Sequence, residues 1–424
     1  MKGCSAIFLL CGVMVFRFLV GILFSVLCPT LFASTIPVNG KYQSAYRNFD
    51  KHFIKQLKQW GINGATVAVV KNHRLTYLRA YGWANTAKKQ AMQTDNLFRI
   101  ASVSKTITAL AVLKLVQQGK LKLTDKVYKV LALTPLPGSN TNRKVYQITI
   151  ADLLHMSSGW AKWFDPMFGP WPKSYVKKLH ATPPVSCERA ARFMMSQPLT
   201  FRPGTQFRYA NINYCLLGLV VSKVSANQYT RQAYVNYVQK NILHPLGIDD
   251  MYIANTTLGE QPKKEVHYYP TYQKRIHYPA NKDMIVLWDL PYGHDEILQK
   301  NFANGGWVAT AYDLVKLINR LQLGQIINKR LLKDMVSMPD GYRFKRGKTG
   351  TYLPYLYGMG WFLLYDTPYT VRWYTHGSFT GTNSMIVRRH NGTIYVALFN
   401  EKPSTYAKVS LFRRQVMNLF LRYA

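Results

Sequence analysis

Phe98-Arg99-Ile100-Ala101-Ser102-Val103-Ser104-Lys105 is the stretch on which the reading of this chain turns. It leads into an apolar run, residues 102–118, that reads as a helix closed by Gly119. Ser102 stands where that helix begins. Lys105 follows three residues on, so its amine and the serine hydroxyl share one helical face. A serine hydroxyl is a weak nucleophile until a neighbouring base takes its proton. A lysine can be that base when burial or another cation lowers its pKa. The helix N-terminus adds N–H groups and a positive dipole end that favour developing negative charge. The same spacing also describes a Ser cap followed by a surface lysine, and Ser-x-x-Lys recurs by chance.

A second constellation lies about a hundred residues further on. Arg202-Pro203-Gly204-Thr205-Gln206-Phe207-Arg208-Tyr209-Ala210-Asn211 precedes the apolar run 214–221. Tyr209 and Asn211 are two apart and can point the same way from an extended loop. A tyrosine flanked by lysines can lose its proton and act as general base to a serine, while an Asn amide orients the substrate or the lysine. With 29 tyrosines in the chain, a ring packed on a helix remains the other reading of Tyr209.

Around these two stretches the chain divides into three. Ala65–Val70 and Leu75–Gly82 alternate as strands about a polar turn, Lys71–Arg74. Residues 120–340 read as helical pieces broken by Pro- and Gly-rich loops. Strands return at Tyr357–Tyr365, Ser384–Arg389 and Thr393–Asn400, the last two flanking His390-Asn391-Gly392, a hairpin signal. Tyr406–Tyr423 reads as an amphipathic helix: Val409, Phe412, Val416 and Leu419 share one face, and Arg413, Arg414 and Arg422 lie elsewhere. No internal repeat is evident.

Together these residues resemble the serine beta-lactamase and penicillin-binding protein superfamily, in particular its class C beta-lactamase-like branch with esterase and peptidase relatives. Ser102-Val103-Ser104-Lys105 matches the family's nucleophile motif. Pro203-Gly204-Thr205 and Tyr209-Ala210-Asn211 match the second. Leu153-Leu154-His155-Met156-Ser157-Ser158-Gly159, Pro245-Leu246-Gly247-Ile248, Gly305-Gly306-Trp307-Val308-Ala309-Thr310-Ala311-Tyr312-Asp313-Leu314 and Tyr357-Gly358-Met359-Gly360-Trp361 agree with the family's order. The resemblance covers about Asp50 to Asn400. It implies an α+β fold: an antiparallel sheet from the N- and C-terminal strands, about 45–100 and 340–424, covered by helices, with a helical subdomain at about 120–340. Residues 34–424 would then form one catalytic unit.

The third family motif departs from the pattern. Lys348-Thr349-Gly350 is literal but precedes Tyr357–Trp361, whereas the motif follows that segment, so it reads as a decoy. Thr375-His376-Gly377-Ser378 is the better match, with Thr375 at the usual Lys/His position. The resemblance makes the N–H groups of Ser102 and Ser378 the oxyanion hole, beside Gly377, and makes Asn211 a holder of the substrate amide. A lysine at the third motif binds the substrate carboxylate, so its replacement weighs against ordinary penicillin turnover. His376 supplies a substitute if its ring turns inward; a strand histidine facing out is the other reading.

The remaining sequence bounds the answer. No Gly-x-Ser-x-Gly, CxxC or HExxH occurs, so neither an α/β-hydrolase elbow nor a metal site is expected, and no cofactor. His155 is read as capping or packing its loop, and His294-Asp295 as a cleft-lining candidate without supporting spacing. Residues 1–33 carry only Lys2 and Arg17 as charges and read as a signal peptide, with a retained membrane anchor as the other reading. Beyond them only Cys187 and Cys215 remain, paired or free. The expected location is periplasmic or secreted.

The chain has 424 residues and 48% apolar composition, too apolar for disorder, and 55 Lys+Arg against 19 Asp+Glu give a net charge of +36. Export signals and hydrolase motifs argue against nucleic acid as the partner. They favour an anionic envelope surface, with a small-molecule or peptidoglycan-type substrate. Three functions follow: a serine hydrolase on beta-lactams, D-amino-acid peptides or esters; a penicillin- or cell-wall-binding protein with little turnover; or a polyanion-binding surface protein with a vestigial site.

Overall fold

The alternating stretch after residue 62 forms a hairpin of β2 (Gly64–Lys71) and β3 (Arg74–Asn85), with the short β1 (Val38–Asn39) paired to β3. Asn72 and His73 turn it with φ of 48° and 60°, the left-handed pair whose twist suits a two-residue hairpin. These strands belong to a computed structural model that describes residues 36–424, apart from 161–165, 169–170, 182–183, 271–283, 286–291, 293–296, 338, 340–355 and 368–369. The N-terminal segment 1–33, His294-Asp295 and Lys348-Thr349-Gly350 therefore lie outside the described residues.

The C-terminal strands are β4 (Leu356–Tyr357), β5 (Phe362–Thr367), β6 (Thr370–Phe379), β7 (Thr382–Arg388) and β8 (Ile394–Phe399). The sheet runs β1-β3-β2-β8-β7-β6-β5-β4 with antiparallel pairing throughout, and a short strand, Gln90–Ala91, adds to β3. The two ends of the chain meet at its middle, where β2 pairs with β8.

Both faces of the sheet are covered, which explains the unbroken apolar run of β8. Tyr395, Ala397 and Phe399 meet α1 (Arg47–Trp60) and the C-terminal helix. Ile394, Val396 and Leu398 meet the other layer, including α2 (Ser104–Gln117). Successive strand residues point to opposite faces, so each layer takes every second side chain. Each fully buried aliphatic or aromatic side chain contributes about 1.5–3 kcal/mol. α2 is apolar all round because it is enclosed on every side; residues 103–113 are all buried. It packs against α3 (Asn211–Ala226), which is buried from Ile212 to Ser222. α4 (Ala311–Gln322) begins with a capping box between Thr310 and Asp313 and lies on β2 and β8.

The architecture is the mixed helix and antiparallel sheet fold that the resemblance implies, with three local differences and one pairing that the sequence had left open. The helical middle also holds a small sheet, Phe98–Arg99 and Tyr252–Ile253 on either side of Trp307–Ala309. The stretch expected as one strand, Tyr357–Tyr365, is broken at Gly360, whose φ is 84°. A Cβ there would stand 3.0 Å from Thr106 Cα, and the Thr106 hydroxyl donates to Gly360 O at 2.8 Å, so the break lets the turn seat on α2. Cys187 and Cys215, for which pairing was open, form a disulfide that ties helix Cys187–Met194 to α3. Finally, α5 (Tyr406–Tyr423) has the expected bounds and buries Val409, Phe412 and Val416, but Arg413, expected off the buried face, is 4% exposed. That flank meets polar groups of β6 and β7, not solvent.

Candidate active site

Ser102 lies in a 3-10 turn, Ala101–Val103, that runs into α2, one step earlier than a simple helix cap. Ala101 before it has φ of 46° although it carries a side chain, so the backbone bends sharply at the entry. Several groups hold this turn. Ile100 N–H donates to Trp307 O at 3.0 Å. From β7, the Thr382 hydroxyl donates to Arg99 O at 2.8 Å and the Ser384 hydroxyl donates to Ile100 O at 2.8 Å.

Lys105 and Tyr209 both reach the serine. Lys105 Nζ donates to Ser102 Oγ at 2.9 Å and to Asn304 O at 2.6 Å. The Tyr209 hydroxyl donates to Ser102 Oγ at 3.0 Å, and Lys105 Nζ lies 5.2 Å from the Tyr209 ring centre. Lys105 is 1% exposed, while Ser102 keeps partial access to solvent. The amine is thus held in a dry setting with a backbone carbonyl among its partners. Three buried α2 side chains hold the segment that supplies this carbonyl. Thr108 donates to Ala303 O at 2.6 Å, Lys105 to Asn304 O, and Ser104 Oγ accepts from Trp307 N–H at 3.2 Å.

Tyr209 is aimed by its loop. Gly204 N–H donates to Ser157 O at 2.9 Å and Arg208 N–H to Met156 O at 2.8 Å, which accounts for the Leu153–Gly159 motif as a support. Asn211 is the first residue of α3, two positions from Tyr209. His155 packs as expected, its Nδ1 3.3 Å from Tyr357 O, and burial lowers its pKa.

The Thr375–Ser378 stretch lies on β6 against the serine turn. An added Cβ at Gly377 would stand 2.1 Å from Ile100 O and 2.9 Å from Ala101 Cβ, so only glycine allows the approach. Thr375 is buried and Ser378 exposed. His376 is brought near the site, but its ring lies stacked at 5.2 Å from both Phe362 and Tyr374. Its pKa falls well below 6.5 through burial and then the charges of Arg413 and Lys105. Burial and two neighbouring cations thus oppose its protonation, which weighs against its standing in for the missing lysine.

Two features escaped the sequence. Asn304 acts through its carbonyl, which no residue type encodes, although Gly305-Gly306-Trp307 stood out beside it. A run of ring contacts, Phe207–Tyr357 at 5.7 Å, Tyr357–Phe362 at 5.0 Å and Tyr209–Phe362 at 6.3 Å, forms an aromatic wall beside Tyr209. Its two halves, Phe207 with Tyr209 and Tyr357 with Phe362, are about 150 residues apart in sequence. Among the described residues, no three His, Cys, Asp or Glu side chains gather as a metal site.

The sequence matches the beta-lactamase family model over residues 49–416. It is 30% identical to Protein flp of Staphylococcus aureus (strain N315) over 246 residues, 58% of this chain and 45% of flp. The chain thus spans less than half the length of that relative. It is 25% identical to Penicillin-binding protein 4* of Bacillus subtilis (strain 168) over 359 residues, 82% of this chain and 70% of the relative. Its fold is similar to that of D-amino acid amidase from Ochrobactrum anthropi SV3 complexed with D-phenylalanine, with a TM-score of 0.64 at 19% identity, covering 90% of this chain and 99% of the amidase.

Proposed function

The chain belongs to the beta-lactamase family, and on that premise we propose that it is a serine hydrolase that cleaves an amide or ester through an acyl-enzyme on Ser102. The observation that carries this reading is the convergence of Lys105 Nζ and the Tyr209 hydroxyl on Ser102 Oγ, at 2.9 and 3.0 Å. Ser102 Oγ attacks the carbonyl carbon while its proton passes to the Lys105/Tyr209 pair. The pair returns a proton to the leaving amine or alcohol. Water or an acceptor amine then attacks the acyl-enzyme with the same groups as base. The N–H groups of Ser102 and Ser378 hold the oxyanion, a contribution of about 3–4 kcal/mol per donor in other enzymes. Asn211 orients the substrate amide.

The third motif bears on the substrate. With Thr375 in place of lysine, and with burial and the charges of Arg413 and Lys105 opposing protonation of His376, the motif offers a substrate carboxylate no ready cation. The aromatic wall beside Tyr209 favours an apolar acyl group. A neutral ester or D-aminoacyl amide therefore fits this reading better than a beta-lactam. The same missing cation favours a second reading, a penicillin- or cell-wall-binding protein with little turnover. The Cys187–Cys215 bridge supports export to an oxidising compartment.

A fluorophosphonate is expected to label Ser102, and Ser102→Ala to lose both label and p-nitrophenyl ester hydrolysis. A panel of that ester, a chromogenic cephalosporin and a D-Ala-D-Ala peptide should rank the ester first. Wild-type protein that takes neither fluorophosphonate nor labelled penicillin, yet binds cell-wall fragments, would exclude the hydrolase reading.

A further inference from the structure

Arg413 is a buried cation with no carboxylate partner among the described residues. It sits on α5 at 4% exposure, and the ion pairs of the described residues do not include it. A buried guanidinium without a counter-ion is costly and calls for a reason. Its donors are instead spent on two groups of β6 and β7. Nε donates to Asn383 Oδ1 at 2.7 Å, and one terminal nitrogen donates to Gly377 O at 2.6 Å. Asn383 lies opposite Ser378 in the β6–β7 register, so the contact falls at the end of β6 beside the serine turn.

Gly377 C=O and Ser378 N–H belong to one peptide group. That group is planar and trans, so its N–H points away from whatever binds its carbonyl. A charge-assisted hydrogen bond on the carbonyl draws electrons from the amide and strengthens its N–H as a donor, as in any chain of hydrogen bonds.

We propose that Arg413 is a positioning residue of the active site: through Gly377 O it fixes and polarises the peptide whose Ser378 N–H holds the oxyanion. This rests on the reading of Ser378 N–H as an oxyanion donor. The cation absent from the third motif thus returns from the far side of the strand. It acts on the transition-state charge without touching the substrate. Arg413 forms no bond and moves no proton. Its charge also reaches His376, where it helps keep the ring neutral.

The test compares wild type with Arg413→Met, Arg413→Gln and Arg413→Lys on a p-nitrophenyl ester, with difference infrared spectra of the acyl-enzyme carbonyl. Met removes charge and donor, Gln keeps a donor, and Lys keeps the charge. A purely structural role would not move the carbonyl band of a folded variant. We expect kcat to fall by about tenfold or more in Met, part of the loss of one oxyanion donor, with KM within about twofold. The carbonyl frequency should rise in the order wild type, Lys, Gln, Met. Circular dichroism and melting identify the variants that fold; if Met does not, Gln carries the same comparison. A folded Met or Gln variant with wild-type kcat and carbonyl frequency would overturn the proposal alone. Failure of wild type itself to acylate at Ser102 would overturn this inference and the hydrolase reading together.

Discussion

At the scale of residues, the site depends on contacts that leave no room for substitution. At Gly377 the space for a Cβ is taken by Ile100 O at 2.1 Å, a backbone atom that cannot rotate aside. Gly377→Ala should push β6 off the serine turn and cost about 1–3 kcal/mol, the usual range for overpacking. Thermal melting measures that cost, and kcat on the ester should fall with it. His376 behaves differently. Its pKa lies well below 6.5 because of burial and the charges of Arg413 and Lys105. The fold therefore favours the neutral ring. Its contribution is complete above the unfolded value of 6.5 and is lost as pH drops below it. His376→Phe should remove that slope, so the stability gap between wild type and variant shifts toward the variant between about pH 7 and 5. Melting curves across that range check it. A kcat/KM profile unchanged in shape by the substitution would agree with an uncharged ring.

At the scale of elements, α2 shows how far pattern reading goes. Its apolar run and its Ser102/Lys105 spacing are legible in sequence, because they depend on neighbours within one turn. The Tyr357–Tyr365 stretch was harder. It has strand composition throughout, but Gly360 breaks it where the chain must seat against Thr106. Nothing local marks that demand. Arg413 escaped for a related reason. Helical periodicity assigns a residue to a face, but the partner of each face is set by other elements. The disulfide tests an element pair directly. Cys187 and Cys215 close a loop of 28 residues between helix Cys187–Met194 and α3. Replacing both by Ala should cost about 3.6 kcal/mol in the loop-entropy account, read as a lower melting temperature. Reducing agent should lower wild type and leave the variant unmoved.

At the scale of the whole molecule, the net charge of +36 is a property of the surface, not of the site. The basic residues are scattered along the sequence, with Lys345-Arg346 and Arg413-Arg414 as typical pairs, and Arg413 is buried. Such a field holds a protein near anionic polymer or lipid and is screened over about 8–10 Å by salt. Retention on anionic vesicles or isolated envelopes should weaken as salt rises. Salt-insensitive retention would point to a different mode of attachment.

What the sequence by itself determined is the family and the order of its motifs along the chain. Ser102, Lys105, Tyr209 and the strands at both ends could be read because each rests on local spacing or on a motif. The α+β class could be read because the two strand groups bracket the helices. Only the tertiary structure decided which groups from distant segments converge. Asn304 O holds Lys105, the His376 ring stacks on Phe362 and Tyr374, and a cation from α5 rests on the Gly377 carbonyl. The first and last of these contacts span 199 and 36 residues of chain. Side-chain burial, and with it charge state, is set by packing that no short window contains.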